Sequence, residues 1–151
     1  MKEEITKVLK NRNTLIAIGM LAFIYGFTYL VGTKVSFVWL MFLIYIAPLI
    51  VGGAILSNNI KNERNANLTV VFYSLLSVIM YGVFAYGMEH NPDYVKYASN
   101  TSHEVGGLSI SVTTELFTAN QMVGFFLVVA STLYITGLIL RKRRKRDNEW
   151  N

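Results

Sequence analysis

Four long stretches of this chain carry no charged residue: 13–33, 35–60, 65–88 and 116–140. Each is 21 residues or longer, and about 20 residues at 1.5 Å of rise cross a hydrocarbon layer of roughly 30 Å. A soluble domain of 151 residues has too little interior to hide four such segments. Charged residues make up only 15% of the chain and hydrophobic ones 53%, against about 25% charged in an ordinary soluble domain. Mean hydropathy is +0.41. Water cannot solvate that much apolar surface behind so few charges, whereas lipid can. The pattern predicts an all-α membrane protein, one integral membrane domain over 1–151, with four transmembrane helices near 14–32, 36–56, 68–88 and 117–140.

The charges between the stretches predict the orientation. Of 14 lysines and arginines, four precede the first stretch, two lie in the connector 57–65 and six in the tail 141–146. Only Lys34 and Lys96 fall on the opposite face. Cations accumulate on the cytoplasmic side of short membrane loops, so both termini are expected in the cytoplasm, in the cytoplasmic (plasma) membrane. The same rule accounts for the net charge of +5 without nucleic acid. Residues 1–12, with Ile5, Val8 and Leu9 at helical spacing, read as an amphipathic lead-in at the inner headgroups. The first apolar stretch is too long for a signal-peptide core and shows no small-x-small cleavage site, so it reads as an uncleaved anchor.

The connections differ greatly in size. Residues 33–36 form a short outer turn, which makes the first two helices antiparallel neighbours, and Trp39 sits at the interface where amphipathic rings collect. Residues 89–116 form an outer loop of about thirty residues. Asn91-Pro92-Asp93 reads as a turn. Leu108–Thr113 alternates apolar and polar at period two, the pattern of a half-buried strand, with Tyr94-Val95-Lys96-Tyr97 as its partner within the loop. Thr113 or Thr114 is the expected cap of the last helix, with Glu115 near its positive end. Asn100-Thr101-Ser102 matches the glycosylation sequon.

The apolar stretches contain no Asp, Glu, Lys, Arg or His. Ionisable groups inside a membrane are the usual mark of proton relays and coupled transport. Their absence speaks against small four-helix multidrug exporters, which use an embedded carboxylate, and against four-helix haem proteins, whose helices supply axial ligands, usually His or Met; the methionines here read as packing. The chain has no cysteine, which removes disulfides, thiolate metal sites and thiol oxidase chemistry. No phosphate-binding glycine loop, nucleophile triad or paired carboxylates can be traced, so no catalytic residue and no cofactor is expected.

Several residues remain as candidates beside a plain structural role. His90, Asp93, His103 and Glu104, with Glu89, are nitrogen and carboxylate donors of the kind zinc takes, though at no recognised spacing; a polar loop surface is the plainer account. Pro48, followed by Gly52-Gly53, removes a backbone hydrogen bond and crowds the Ile44 carbonyl: a hinge, or more simply a static kink. Tyr25, Tyr29, Tyr81 and Tyr86 lie in the outer halves of their helices and either wall an aromatic cleft or serve as belt and core. Ala22 and Gly26, Gly82 and Ala85, and Ser74, Ser77, Ser131, Thr132 and Thr136 are ordinary helix-packing devices in lipid. Arg141, Lys142, Arg143, Arg144, Lys145 and Arg146 stop translocation and attract anionic lipid headgroups at about 1 kcal/mol each. Leu108, Ile110 and Val112 offer a strand that an outside partner can extend.

These features lead to a non-enzymatic accessory, regulatory or immunity-type subunit that works through a membrane protein partner. The alternative is a small homo-oligomeric transporter or channel, with a neutral pathway past Tyr25, Tyr29, Ser74, Ser77 and Thr132. A lipid-directed enzyme using His90 and His103 ranks last.

Overall fold

The computed structural model describes residues 12–60, 63–100, 103–105, 108–110 and 115–149. Helix α1 runs Arg12–Val31. It closes where the Gly32 N–H donates to the Thr28 carbonyl at 2.7 Å and the Lys34 N–H to Val31 at 2.8 Å. A side chain at Gly32 would meet Leu40 at 3.1 Å and Met88 at 3.4 Å, so this residue lets the turn close against the next two helices.

Helix α2, Phe37–Asn59, starts from Ser36 in extended conformation and is not uniform. Phe37–Met41 is α-helical, Phe42–Ile46 is a π turn, and Ala47–Asn59 is α-helical again. The Ala47 N–H reaches back five residues to the Phe42 carbonyl. Pro48 follows at once and explains the widening. It has no N–H for the Ile44 carbonyl and its ring presses on that group, so the turn before it opens.

Helix α3 spans Glu63–Glu89, and α4, Pro92–Asn100, follows after Asn91. Two three-residue strands, β1 (His103–Val105) and β2 (Leu108–Ile110), pair antiparallel with His103 opposite Ile110 and Val105 opposite Leu108. Helix α5 runs Ala119–Glu149.

Three expectations for the segment 89–116 need correction or restriction. Tyr94–Tyr97 is helical, not a strand. Asn91 accepts the Tyr94 and Val95 N–H groups on its carbonyl, and the Asp93 N–H on its side chain at 3.0 Å. Pro92 takes the first helical position, where a missing N–H costs nothing. The residues read as a turn are therefore a helix start. The cap of α5 is Thr118, whose carbonyl takes the Met122 N–H and whose hydroxyl takes the Gln121 N–H. Thr113 and Thr114, like Val112, lie outside the described residues, as does the lead-in 1–11.

Helix α1 packs on α2 and α3, and α5 packs on the same two, while α2 and α3 also touch. The pair α2–α3 thus forms the short diagonal, with α1 and α5 on opposite sides. Leu21, Leu40, Leu56, Tyr73, Tyr81, Met88, Val129 and Leu133 fill the centre. The outside is equally apolar: Val38 is 75% exposed, Phe23 72% and Leu30 70%. Helices that are hydrophobic on all sides belong in lipid. Three of them, Phe37–Asn59, Arg64–Glu89 and Ala119–Arg144, are long and apolar enough to cross a membrane, and Leu15–Val31 is a shorter apolar helix.

Candidate functional site

The polar groups inside the bundle gather around the interrupted helix α2. The Tyr25 hydroxyl of α1 donates to the Ile44 carbonyl at 3.4 Å, the group that Pro48 leaves without its helical partner. The Tyr73 hydroxyl of α3 donates to the Pro48 carbonyl at 2.6 Å. Tyr25 thus reaches the one carbonyl that the proline leaves without its helical partner, and Tyr73 adds a second hydroxyl to the carbonyl of the proline itself. The close approach of Tyr73 depends on Gly52. A Cβ there would stand 2.6 Å from the Tyr73 ring and 3.0 Å from Leu133.

Aromatic rings extend this centre toward residues 89–116. Tyr25 packs on Phe84 at 5.6 Å, and Tyr81 packs on Phe84 at 6.4 Å. Tyr81 also stacks on Phe125 at 4.6 Å, and Phe125 meets Tyr45 at 5.6 Å. The Tyr81 hydroxyl donates to the Leu116 carbonyl at 3.4 Å. Of the four tyrosines considered for a cleft, Tyr25 and Tyr81 are buried in this cluster. Tyr29 and Tyr86 are 41% and 55% exposed. Tyr29 lies against Gly87, and Tyr86 packs outside, tilted against His90 at 4.3 Å and edge-on to Phe117 at 5.9 Å. The four therefore do not line one cleft.

Helix α4 covers this end of the bundle. Tyr94 and Ala98 are buried and Tyr97 half-buried on its inner face, while Val95 and Lys96 point away. Burial pushes the Tyr94 phenol up to about 12, and Tyr97, Tyr45 and the Glu89 carboxylate add to the shift. Glu89 itself accepts the Phe117 N–H at 2.7 Å, which ties the end of α3 to the approach of α5.

The donors considered for a metal do not assemble. The His90 ring is exposed, with Nδ1 donating to the Tyr86 carbonyl at 2.8 Å. Asp93 is exposed on the first turn of α4. The backbones of His103 and Glu104 lie in β1, and their side chains are outside the described set. Among the described residues, no three His, Asp or Glu side chains form a metal-holding group.

At the opposite end, the basic run continues α5 as helix rather than as a loose tail. Consecutive residues turn by about 100°, so its charges encircle the axis. Arg141 is anchored by a 2.8 Å hydrogen bond to Asn67 of α3. Lys142, Arg143, Arg144 and Arg146 are exposed, and Lys145 sits on the same helix. Of the residues suggested for a neutral pathway, Tyr25, Ser74 and Ser77 face inward, whereas Tyr29 and Thr132 face out.

Sequence reasoning missed Tyr73 and Thr118, and it placed Gly52 only beside the proline kink and Tyr94 in a strand. Two signals were available. Thr118-Ala119-Asn120-Gln121 has the Ser/Thr-x-x-Glu/Gln form of a capping box, and Asn91-Pro92-Asp93 has the composition of a helix start. For Tyr73 there was none, since nothing local marks which tyrosine meets a distant proline.

The chain matches no protein-family model, no curated protein and no solved structure. Its class follows from the geometry alone: a helical protein with three apolar helices of membrane-crossing length and a shorter fourth.

Proposed function

We propose that this chain is a four-span integral membrane protein with both termini in the cytoplasm, a non-enzymatic accessory, regulatory or immunity-type subunit that works through a membrane protein partner. The observation that carries this reading is the hairpin β1–β2. Among the described residues the sheet has two strands, and a lone two-stranded hairpin is marginal in water. A strand from a partner, added along Leu108–Ile110, would complete it by main-chain pairing. Helix α4 supports the same reading, since its packed inner face gives the loop a fixed base. The exposed cations Lys142, Arg143, Arg144 and Arg146 contribute attraction to anionic headgroups on the cytoplasmic side.

Two experiments test it. Photocrosslinkers at Leu108 and Ile110 in native membranes should capture one specific protein; capture of lipid alone overturns the partner reading. A cytoplasm-active reporter fused after Asn151 should work and a periplasm- or exterior-active one should not; the reverse overturns the orientation.

A further inference from the structure

Helix α2 is held unevenly along its length. Its second segment, Ala47–Asn59, packs on α1, α3 and α5. Val51, Gly52, Ile55 and Leu56 are buried there. Both ends of this segment are tied to α3: the Tyr73 hydroxyl donates to the Pro48 carbonyl at 2.6 Å, and the Asn59 amide donates to the Thr69 hydroxyl at 3.1 Å. The first segment, residues 37–46, packs on α1 at the π turn. Leu40 and Ile44 are its buried residues, while Val38, Trp39, Phe42 and Ile46 are exposed. Tyr25 reaches the Ile44 carbonyl at 3.4 Å, beyond the usual hydrogen-bond distance. Few buried apolar groups and weak polar ties mark a segment that moves at less cost than global unfolding.

The joint between the segments is short of backbone bonds. The Ala47 N–H goes to the Phe42 carbonyl instead of to Leu43, and Pro48 has no N–H for Ile44. Two successive rungs of the α-helical ladder are therefore absent, and bending here breaks fewer bonds than bending elsewhere in the helix. Contact with α5 also changes across the joint. Along the second segment the two helices are close: a Cβ at Gly52 would stand 3.0 Å from Leu133, and one at Gly137 would stand 3.4 Å from Leu56. At the π turn the connection runs through rings, with Tyr45 on Phe125 at 5.6 Å. Phe125 in turn stacks on buried Tyr81 at 4.6 Å.

We propose that α2 is a hinged helix, whose first segment pivots at the π turn and Pro48 on a second segment fixed by Tyr73, with the Tyr45–Phe125 contact as the latch. Hinges of this kind absorb a domain-scale movement in a few backbone torsions. Opening the latch uncovers the Tyr81–Phe125 stack to lipid. It also moves Tyr45 relative to Tyr94 of α4, on which it acts electrostatically in the closed form. The motion is thus felt at the helix that covers this end of the bundle. The pivot itself needs no partner on that helix.

The test uses the purified full chain in lipid nanodiscs. The chain contains no cysteine, so nitroxide pairs can be placed freely at exposed sites. Val38→Cys with Val123→Cys spans the joint from the first segment to α5, and Ala54→Cys with Ile135→Cys is the control pair on the second segment. Pulsed electron–electron distance measurements on frozen samples should give a distribution for the first pair at least roughly twice as wide as for the control. Tyr45→Ala removes the latch and should raise the open fraction roughly two- to tenfold, the worth of one aromatic contact. Pro48→Ala restores a rung at the joint and should narrow the first distribution. If the first pair is as narrow as the control both in the natural chain and with Tyr45→Ala, α2 is a static kink and the hinge is overturned. Breadth that Pro48→Ala leaves unchanged overturns the place of the pivot, and equal breadth in the control pair overturns its confinement to the first segment.

Discussion

Gly52→Ala should destabilise the protein, although alanine is the better helix former. The added methyl would stand 2.6 Å and 3.0 Å from two carbons of the Tyr73 ring and 3.0 Å from Leu133 Cδ2. The ring cannot simply swing aside: it is 2% exposed and its hydroxyl is held at 2.6 Å on the Pro48 carbonyl. Overpacking of this kind costs about 1–3 kcal/mol, and displacing the hydroxyl adds about 1 kcal/mol for the hydrogen bond. Replacing glycine within a helix returns up to about 1 kcal/mol. The net expectation is a loss of about 1–3 kcal/mol. Gly53 is the internal control, because nothing lies within 4 Å of its missing Cβ; Gly53→Ala should be neutral or stabilising. The assay is reversible unfolding in mixed micelles, followed by circular dichroism. Tyr73→Phe adds a second arm. It keeps the ring but releases the pin, so Gly52→Ala should cost less in that background, with a coupling of about 1 kcal/mol. If Gly52→Ala and Gly53→Ala behave alike, or if the two Gly52 and Tyr73 changes simply add, the wedge of Tyr73 against α2 is not what fixes this site.

Three further outcomes follow from the same geometry. Pro48→Ala restores an N–H for the Ile44 carbonyl, so Tyr25→Phe should lose stability in the natural chain by about 1 kcal/mol and markedly less in the Pro48→Ala background; equal losses in both would show that Tyr25 does not compensate the proline. Thr118→Ala should cost about 0.5–2 kcal/mol through the lost cap, and Thr118→Ser should recover most of it in the same unfolding assay. Tyr94 ionises near 10 when unfolded and is pushed up to about 12 when folded. Its neutral form is the one the fold favours, so its contribution is complete below pH 10 and is lost as pH rises from about 10 through 12. Ultraviolet titration of the natural chain minus Tyr94→Phe should show a phenol ionising well above 10, and a difference curve centred at 10 would refute the burial argument.

How much of this was legible beforehand depends on which physical force sets each feature. Four apolar helices follow from charge-free length, because lipid thickness acts on composition directly. Their ends do not: α3 begins at Glu63 and α5 continues to Glu149, since a helix runs on through polar residues that no hydrocarbon demands. The disturbance at Pro48 was legible from its missing N–H, whereas the acceptor contacts of Tyr25 and Tyr73 were not. They join residues 19 and 25 positions apart, and only tertiary packing brings such residues together. The tyrosines show the limit most clearly. In a soluble helix, apolar periodicity would separate Tyr25 and Tyr81 from Tyr29 and Tyr86. Here exposed Phe23 and Leu30 are as apolar as buried Leu21, so the inner and outer faces carry the same chemistry and the period vanishes. What distinguishes the inner face is the rare polar group that must find a partner there. Ser74 and Ser77, buried and without backbone bonds of their own, mark the interior of this bundle more sharply than any of its hydrophobic residues.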